Sequence, residues 1–259
     1  MKIGVGIITY NRPELLRKCI NSLIPAQIDE VVVVNDGNPL PFDIGNGKLI
    51  ENKTNLGVGK SKNKALSYLM EKGCDYLFLI EDDIFIKDMS VFERYIEASK
   101  ITGIQHFNFS QHGMMNKSWP GGKPNPRVII DYGKIKLPLY PHCVGAFSFY
   151  TRTCIKQVGL IDEAYYNAFE HVDHTYRIIK ADMHPPFWYF ADIENSWEYL
   201  GDEEWCIEKS TISSKPDHSQ KVQEAMNIFA NKHQFIPTHI PLATTECITN
   251  KLKLIKQIF

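Results

Sequence analysis

The chain has 259 residues, with 29 Lys and Arg against 30 Asp and Glu and a formal net charge of −1 at pH 7. That length suits one large α/β domain, and the balanced charge argues against broad attraction to nucleic acid or to an anionic membrane surface. Six cysteines (Cys19, Cys74, Cys143, Cys154, Cys206, Cys247) form no C-x-x-C pair, so they indicate neither a zinc knuckle nor a disulfide framework and read as reduced, packed thiols.

The opening MKIGVGIITYNRPELL carries too short an apolar stretch for a spanning helix and no small-residue cleavage site, which leads us to expect a cytoplasmic protein. Within it KIGVGIIT (2–9) reads as a buried strand. A helix near 12–23 follows, with Leu15, Cys19, Ile20 and Leu23 on one face. Because G-V-G at 4–6 lies inside the strand rather than after it, it is no dinucleotide fingerprint. EVVVVN (30–35) has the continuous β-branched character of a strand covered on both faces, and it runs into the turn NDGNP. KLIEN (48–52) and a helix near 58–72 come next. G-V-G-K-S at 57–61 is not an NTPase phosphate loop, since that motif needs Gly where Thr54 stands. YLFLIE (76–81) and a helix near 90–100 complete a first third that alternates strand and helix, the pattern of a Rossmann-like, mostly parallel sheet.

LFLIEDDIFI (77–86) sets Glu81, Asp82 and Asp83 in the middle of an otherwise apolar run. Carboxylates taken out of water are costly unless paired, hydrogen-bonded or bound to a cation, so the sequence demands compensation there. If an extended pleat persists, Glu81 and Asp83 face one side and Asp82 the other.

After residue 104 the texture changes, and 105–140 reads as a long irregular loop rich in Gly, Pro, Asn and aromatics, of a length that often covers a substrate. Strand, short helix, turn and helix return in GAFSFYTRTCIKQVGLIDEAYYNAFEHVDHTYRI, and an amphipathic helix follows at about 217–233. The tail NKLKLIKQIF could dock on a membrane, contact a second copy as a homodimer, or pack on its own domain.

In open α/β sheets ligands collect outside the carboxyl ends of the strands. Four consecutive strand ends here are polar: Thr9, Tyr10, Asn11 and Arg12; Asn35, Asp36 and Gly37; the stretch NLGVGKSKNKA; and Glu81, Asp82 and Asp83. Each has a plain structural role open to it, Asn11 as a cap before Pro13 and Asp36-Gly37 as a turn. Their coincidence on one edge suits a nucleotide. Asp36 can accept from a base or a ribose, Gly57 and Gly59 permit close approach, Lys60, Lys62 and Asn63 are donors, and the acidic triplet can hold Mg²⁺ or Mn²⁺. A second constellation is FEHVDHTYRI (169–178) at the start of a helix, where Glu170 or His171 could take a proton from a hydroxyl. Glu170, His171 and His174 could also form a zinc site, and an Asp173–Arg177 pair would be ordinary.

Taken together, ITYNRPELLRKCINSL, VVVVNDG, NLGVGKSKNKAL, LFLIEDDIFI and GLIDEAYYNAFEHVDHTYRI occur in the order of, and resemble, the motifs of a family-2-type glycosyltransferase of the GT-A fold. The resemblance covers residues 1 to about 180. It implies an α/β Rossmann-like domain with a mostly parallel mixed sheet flanked by helices and a C-terminal helical extension. The domain would span 1–245, with a nucleotide-binding half (1–104), an acceptor-binding half (105–245) and an amphipathic tail at 246–259. Thr9, Tyr10, Asn11, Arg12, Asp36, Gly57, Lys62, Asn63, Glu81 and Asp82 would bind the donor, with Asp83 as the direct metal ligand and His218 as a late-histidine candidate beside it. The family's usual catalytic Asp falls on His171, with Glu170 before it. The base is then His171, or Glu170, or the acceptor binds differently. Asp173 and Trp119 are candidate acceptor contacts, and Trp188, Trp197, Trp205, Tyr165 and Tyr166 could offer faces to sugars.

The reaction so implied is Mn²⁺- or Mg²⁺-dependent, inverting transfer of a hexosyl or N-acetylhexosaminyl group from a nucleotide sugar, UDP-linked, to a glycan hydroxyl. The setting would be bacterial-type surface polysaccharide or lipopolysaccharide synthesis, in the cytoplasm or at the inner membrane face. A sugar nucleotidyltransferase would call for a G-x-G-T-R loop where TYNRP stands. A non-catalytic nucleotide-sugar-binding module is the third reading, favoured by His171 in place of Asp.

Overall fold

The computed structural model describes residues 1–23, 27–119, 121–203 and 210–259. Strand β1 (Ile3–Thr9) is followed by helix α1 (Pro13–Leu23), β2 (Glu30–Asn35), β3 (Lys48–Glu51), α2 (Val58–Glu71) and β4 (Tyr76–Glu81). β1, β2, β3 and β4 are mutually parallel, in the spatial order β3-β2-β1-β4. Chain direction across the sheet therefore reverses between β1 and β4, and that switch point opens the crevice in which α/β folds bind ligands. Antiparallel β9 (Phe147–Thr151) and β6 (His106–Asn108) extend the sheet beyond β4 to six strands.

Side-chain pattern explains the layers. Val32, Val33 and Val34 are all fully buried, as a strand covered on both faces requires. On one face Val5, Ile7 and Val33 join Leu16, Cys19 and Leu23 of α1 and Phe92, Tyr95 and Ile96 of α3 (Val91–Thr102). Leu16 rather than Leu15 completes the buried stripe of α1, and Leu15 instead reaches the crevice. On the other face Ala65, Leu66 and Leu69 of α2 pack with Cys154 and Ile155 of α4 (Arg152–Val158) and Ile178 of α5 (Glu170–Lys180). A Cβ on Gly6 would lie 2.7 Å from that of Ala65, so the glycine in β1 is what lets α2 seat closely on the sheet.

The run 77–86 is not one strand. β4 ends at Glu81, residues 82 and 83 turn, and β5 (Ile84–Ile86) leaves the main sheet to pair antiparallel with β11 (Leu200–Asp202). The irregular stretch is shorter than the sequence suggested. β6 opens it, and β7 (Val128–Asp131) with β8 (Lys136–Tyr140) forms a hairpin, leaving 109–119 and 121–127 irregular. β10 (Phe190–Ala191) adds to β8, and α6 (Ser196–Tyr199) precedes β11. α7 (His218–His233) and α8 (Thr245–Ile258) close the fold.

Of the three destinations open to the tail, the structure shows self-packing for the apolar side of α8. Ile248, Leu252 and Ile255 are buried in the main core, and Lys251 Nζ donates to the Ile179 carbonyl at 2.9 Å. Leu254 and Ile258 stay exposed. No described helix is long and apolar enough to cross a membrane. Leu252→Ala should cost about 2 kcal/mol, the low end for a core leucine because α8 lies at the periphery, and urea unfolding would show it as a lowered midpoint. An unchanged midpoint would mean that α8 is not part of the cooperative unit.

Candidate active site

A cavity of about 260 Å³ opens at the carboxyl ends of β1, β2 and β4, lined there by Thr9, Tyr10, Arg12, Asp36, Glu81 and Asp83. Later segments close its other side with His112, Glu203, residues 210–212 and Lys215.

The acidic triplet is compensated in two separate ways. Asp82 is 1% exposed and accepts from Thr9 Oγ1 at 2.6 Å, with the Arg12 guanidinium in close ion-pair contact. Burial pushes its carboxyl up to about 7, Asp83 adding to the shift and Arg12 opposing it. Arg12 also donates to Asp83 Oδ2 at 3.0 Å. Asp83 Oδ1, in contrast, is buried with no hydrogen-bond partner among the described residues. Such an oxygen on a cavity wall fits a hard divalent cation. No described group of three His, Cys, Asp or Glu side chains could hold a metal by itself. Among the described residues, Asp83 is the side chain that would hold a cation here.

Glu81 points elsewhere for its counter-charge. Lys62, buried on α2, donates from Nζ to Glu81 Oε1 at 2.9 Å, to Glu170 Oε1 at 3.1 Å and to the Gly145 carbonyl at 3.0 Å. Burial alone would raise the Glu81 carboxyl, but Lys62 overrides it and the net displacement is downward. Glu170 opens α5 and also accepts from His171 Nδ1 at 3.1 Å. Burial is again overridden, by Lys62 and His171, and its carboxyl is held far below the usual carboxylate range.

A family model described as glycosyl transferase family 2 matches residues 4–159, more than half of the chain. The chain belongs to glycosyl transferase family 2. A relative, an uncharacterised glycosyltransferase of Acanthamoeba polyphaga mimivirus, is 26% identical over 228 residues, covering 82% of this chain and 85% of that one. Two similar solved structures share the GT-A fold at low identity. S. aureus TarS 1–349 in complex with UDP has a TM-score of 0.53 at 15% identity, over 92% of this chain and 74% of that one. A mannosyltransferase from Pyrobaculum calidifontis in complex with GDP-Man and Mn²⁺ has a TM-score of 0.54 at 13% identity, over 99% and 69%.

Within this family 2 glycosyltransferase several residues expected at the donor make contacts within the scaffold. Lys62 and Asn63 face inward. Asn63 Nδ2 donates to the Ile161 carbonyl at 2.8 Å and its Oδ1 accepts from Ile161 N at 2.9 Å, clamping the turn before α5. Asp36 lines the cavity, but it accepts from Asn52 Nδ2 and from the backbone N–H of Leu56 and Gly57, each at 2.8 Å, so it shapes the loop that enters α2. Gly57 has φ 88° and a Cβ there would strike the Tyr166 carbonyl at 2.5 Å; the close approach it permits is to its own chain. Asn11, at φ 55°, accepts from Asn38 N at 2.8 Å and ties the first strand end to the second.

On the acceptor side Asp173 is fully buried and acts as a hub. It accepts from Arg177 Nε at 2.9 Å, Lys232 Nζ at 2.9 Å and His233 Nε2 at 2.7 Å, joining α5 to α7. His174 is buried, with Nε2 donating to the Gly159 carbonyl at 3.0 Å, so a zinc site with Glu170 and His171 has no geometric support. His218 is the first residue of α7 and is not among the residues that line the cavity. Of the aromatic residues, Tyr165 is buried and Trp188 Nε1 donates to the Ile240 carbonyl at 2.8 Å, while Trp119 and Tyr166 are 62% and 41% exposed. Trp205 lies outside the described residues.

His112 was invisible in the sequence because it sits in an irregular stretch with no spacing signal. Burial pushes its imidazole down, but Asp202, Asp83 and Glu81 override that and raise it, which sets a basic group on the cavity wall. Lys215 is a second, its Nζ 5.1 Å from the centroid of the Tyr10 ring.

Proposed function

We propose that this glycosyltransferase moves a hexosyl or N-acetylhexosaminyl group from a UDP-linked donor to a glycan hydroxyl, with inversion and with Mn²⁺ or Mg²⁺, in the synthesis of a surface polysaccharide or lipopolysaccharide. The observation that carries the reading is the buried Oδ1 of Asp83, without a hydrogen-bond partner among the described residues, on a cavity at the sheet's switch point. Solved structures of similar fold in complex with UDP, and with GDP-Man and Mn²⁺, support it.

In the mechanism, Asp83 would hold the cation, which when bound neutralises charge on the departing diphosphate. Thr9 and Arg12 fix Asp82 behind it. Tyr10 offers a ring face for the nucleobase, Lys215 supplies positive charge on the cavity wall where the diphosphate would lie, and His112 adds a hydrogen-bond donor there. A proton acceptor in the Glu170–His171 pair would receive the acceptor hydroxyl's proton during a single in-line displacement, which inverts the anomeric centre.

UDP release from a panel of UDP- and GDP-sugars, measured with and without Mn²⁺, tests this. Asp83→Asn should lower the Mn²⁺-dependent kcat by about 100-fold or more with an unchanged circular dichroism spectrum. Tight UDP binding with no release from any donor would sink the transferase reading in favour of a binding module. Release confined to GDP-sugars would correct the donor.

A further inference from the structure

We propose that the acceptor's proton goes to Nε2 of His171, with Glu170 as the residue that positions the imidazole and Lys62 as the residue that fixes Glu170. This rests on the transferase reading above and names the base within it.

The contacts leave few alternatives. Glu170 Oε1 receives both His171 Nδ1 and Lys62 Nζ, each at 3.1 Å. Lys62 spends its other two N–H groups on Glu81 and on the Gly145 carbonyl, so all three of its donors are used. Glu170 is thereby locked on both sides at 4% exposure. A carboxylate so held is a poor proton acceptor and a good orienting partner. With Nδ1–H donated to Glu170, the imidazole has one lone pair left, on Nε2, and its side chain is 25% exposed. The arrangement is that of a base whose second nitrogen is anchored by a buried carboxylate.

Gly145 supplies an independent constraint. A Cβ there would come within 2.8 Å of His171 Cγ and 2.9 Å of Nδ1, so the bare backbone makes room for the ring while its carbonyl holds Lys62. The same ionic chain reaches the donor cavity, because Glu81 lines it. Titratable groups around the imidazole are Glu170 on its own helix, Lys62 on α2 with Glu81 of β4 behind it, the Cys143 thiol, whose Sγ is 4.0 Å from the His171 carbonyl oxygen, and buried His106 of β6. As the acceptor oxygen bonds to the anomeric carbon, its proton passes to Nε2 and Nδ1–H stays with Glu170. The carbon–oxygen bond to the diphosphate breaks and its electron pair leaves on the phosphate oxygen.

The test uses the full chain, with UDP-sugar hydrolysis in the presence of Mn²⁺ as the turnover probe and water as the acceptor. UDP titration calorimetry and nitrogen-15 imidazole spectra of the metal-free protein run beside it. His171→Asn should lower kcat by about 100-fold or more while the Kd for UDP changes less than about twofold. His171→Asp should recover part of that loss and move the acid limb of the kcat profile to lower pH. Glu170→Gln should lower kcat with unchanged UDP affinity and shift the His171 ring toward the Nε2–H tautomer, whereas the wild type shows a protonated Nδ1 and a bare Nε2. Wild-type kcat in His171→Asn, or a wild-type ring protonated at Nε2, overturns the proposal and leaves the transferase reading standing. No UDP release by the wild type would overturn that reading, and the proposal with it.

Discussion

Replacing Lys62 with Met should destabilise the protein by about 3–5 kcal/mol in urea unfolding at pH 7.5, the cost of breaking a buried ion pair from one side. The methylene stem is conserved in volume, so the loss is electrostatic. Glu81 and Glu170 share this one ammonium at 2.9 and 3.1 Å, and without it two carboxylates face each other with no cation between them. One of them must then take up a proton, as like charges forced together do. Its folded pKa lies above the unfolded value, so protonation contributes stability that is present below the unfolded pKa and lost as pH rises through the folded one. The deficit of Lys62→Met should therefore be largest at pH 7.5 and shrink toward pH 5. Adding Glu170→Gln should restore much of it at pH 7.5. A loss under about 1 kcal/mol at pH 7.5, or a deficit that grows on acidification, would show that Lys62 is not the counter-charge the contacts make it.

What could be read from the sequence was set by periodicity and chain order. The first four parallel strands and the helices between them were placed within a residue or two, because VVVV and the apolar spacing of α1 and α2 have few alternative solutions. Motif order placed Thr9, Tyr10, Arg12, Asp36, Glu81 and Asp83 on one crevice. Direction was not legible. Lys62 and Asn63 occur in the same helical turn as the less buried Lys60 and Lys64, and only packing against the 145 and 161 loops shows that they point inward. Asp173 looked like half of a surface pair with Arg177; its other partners, Lys232 and His233, lie about 60 residues away, beyond the reach of helical spacing. The β7–β8 hairpin was masked by the Gly- and Pro-rich flank before it. His112 reaches the cavity only through a stretch with no period at all.

The wild-type protein should lose stability steeply as pH falls from about 6.5 toward 4, and three buried histidines outside the cavity lining are the cause. His106 donates from Nδ1 to the Phe149 carbonyl at 2.8 Å and accepts at Nε2 from Thr175 Oγ1 at 3.0 Å. His184 donates to the Pro185 carbonyl at 2.9 Å and accepts from Ala191 N at 3.2 Å; His174 donates to the Gly159 carbonyl. Burial pushes all three imidazoles down, to about 4 for His106 and about 3 for His174, and well below the ordinary range for His184. Depressed folded values mean stability that is present above the unfolded pKa, near 6.5, and lost as pH falls toward the folded ones, because the unfolded chain binds protons that the native chain refuses. Each such proton is worth about 1.4 kcal/mol per pH unit. Asp82 acts oppositely, since its carboxyl, raised to about 7, takes up a proton in the native state before the unfolded chain does. Three protons against one leave a slope of about 3 kcal/mol per pH unit, enough to consume the stability of an ordinary domain between pH 6 and 4. Urea unfolding at half-unit pH steps would measure it. His174→Gln, which keeps a donor for the Gly159 carbonyl, should flatten the slope by about one proton, and Asp82→Asn should steepen it by the same amount. A wild-type slope indistinguishable from zero over that window would mean that these imidazoles are not held neutral by burial.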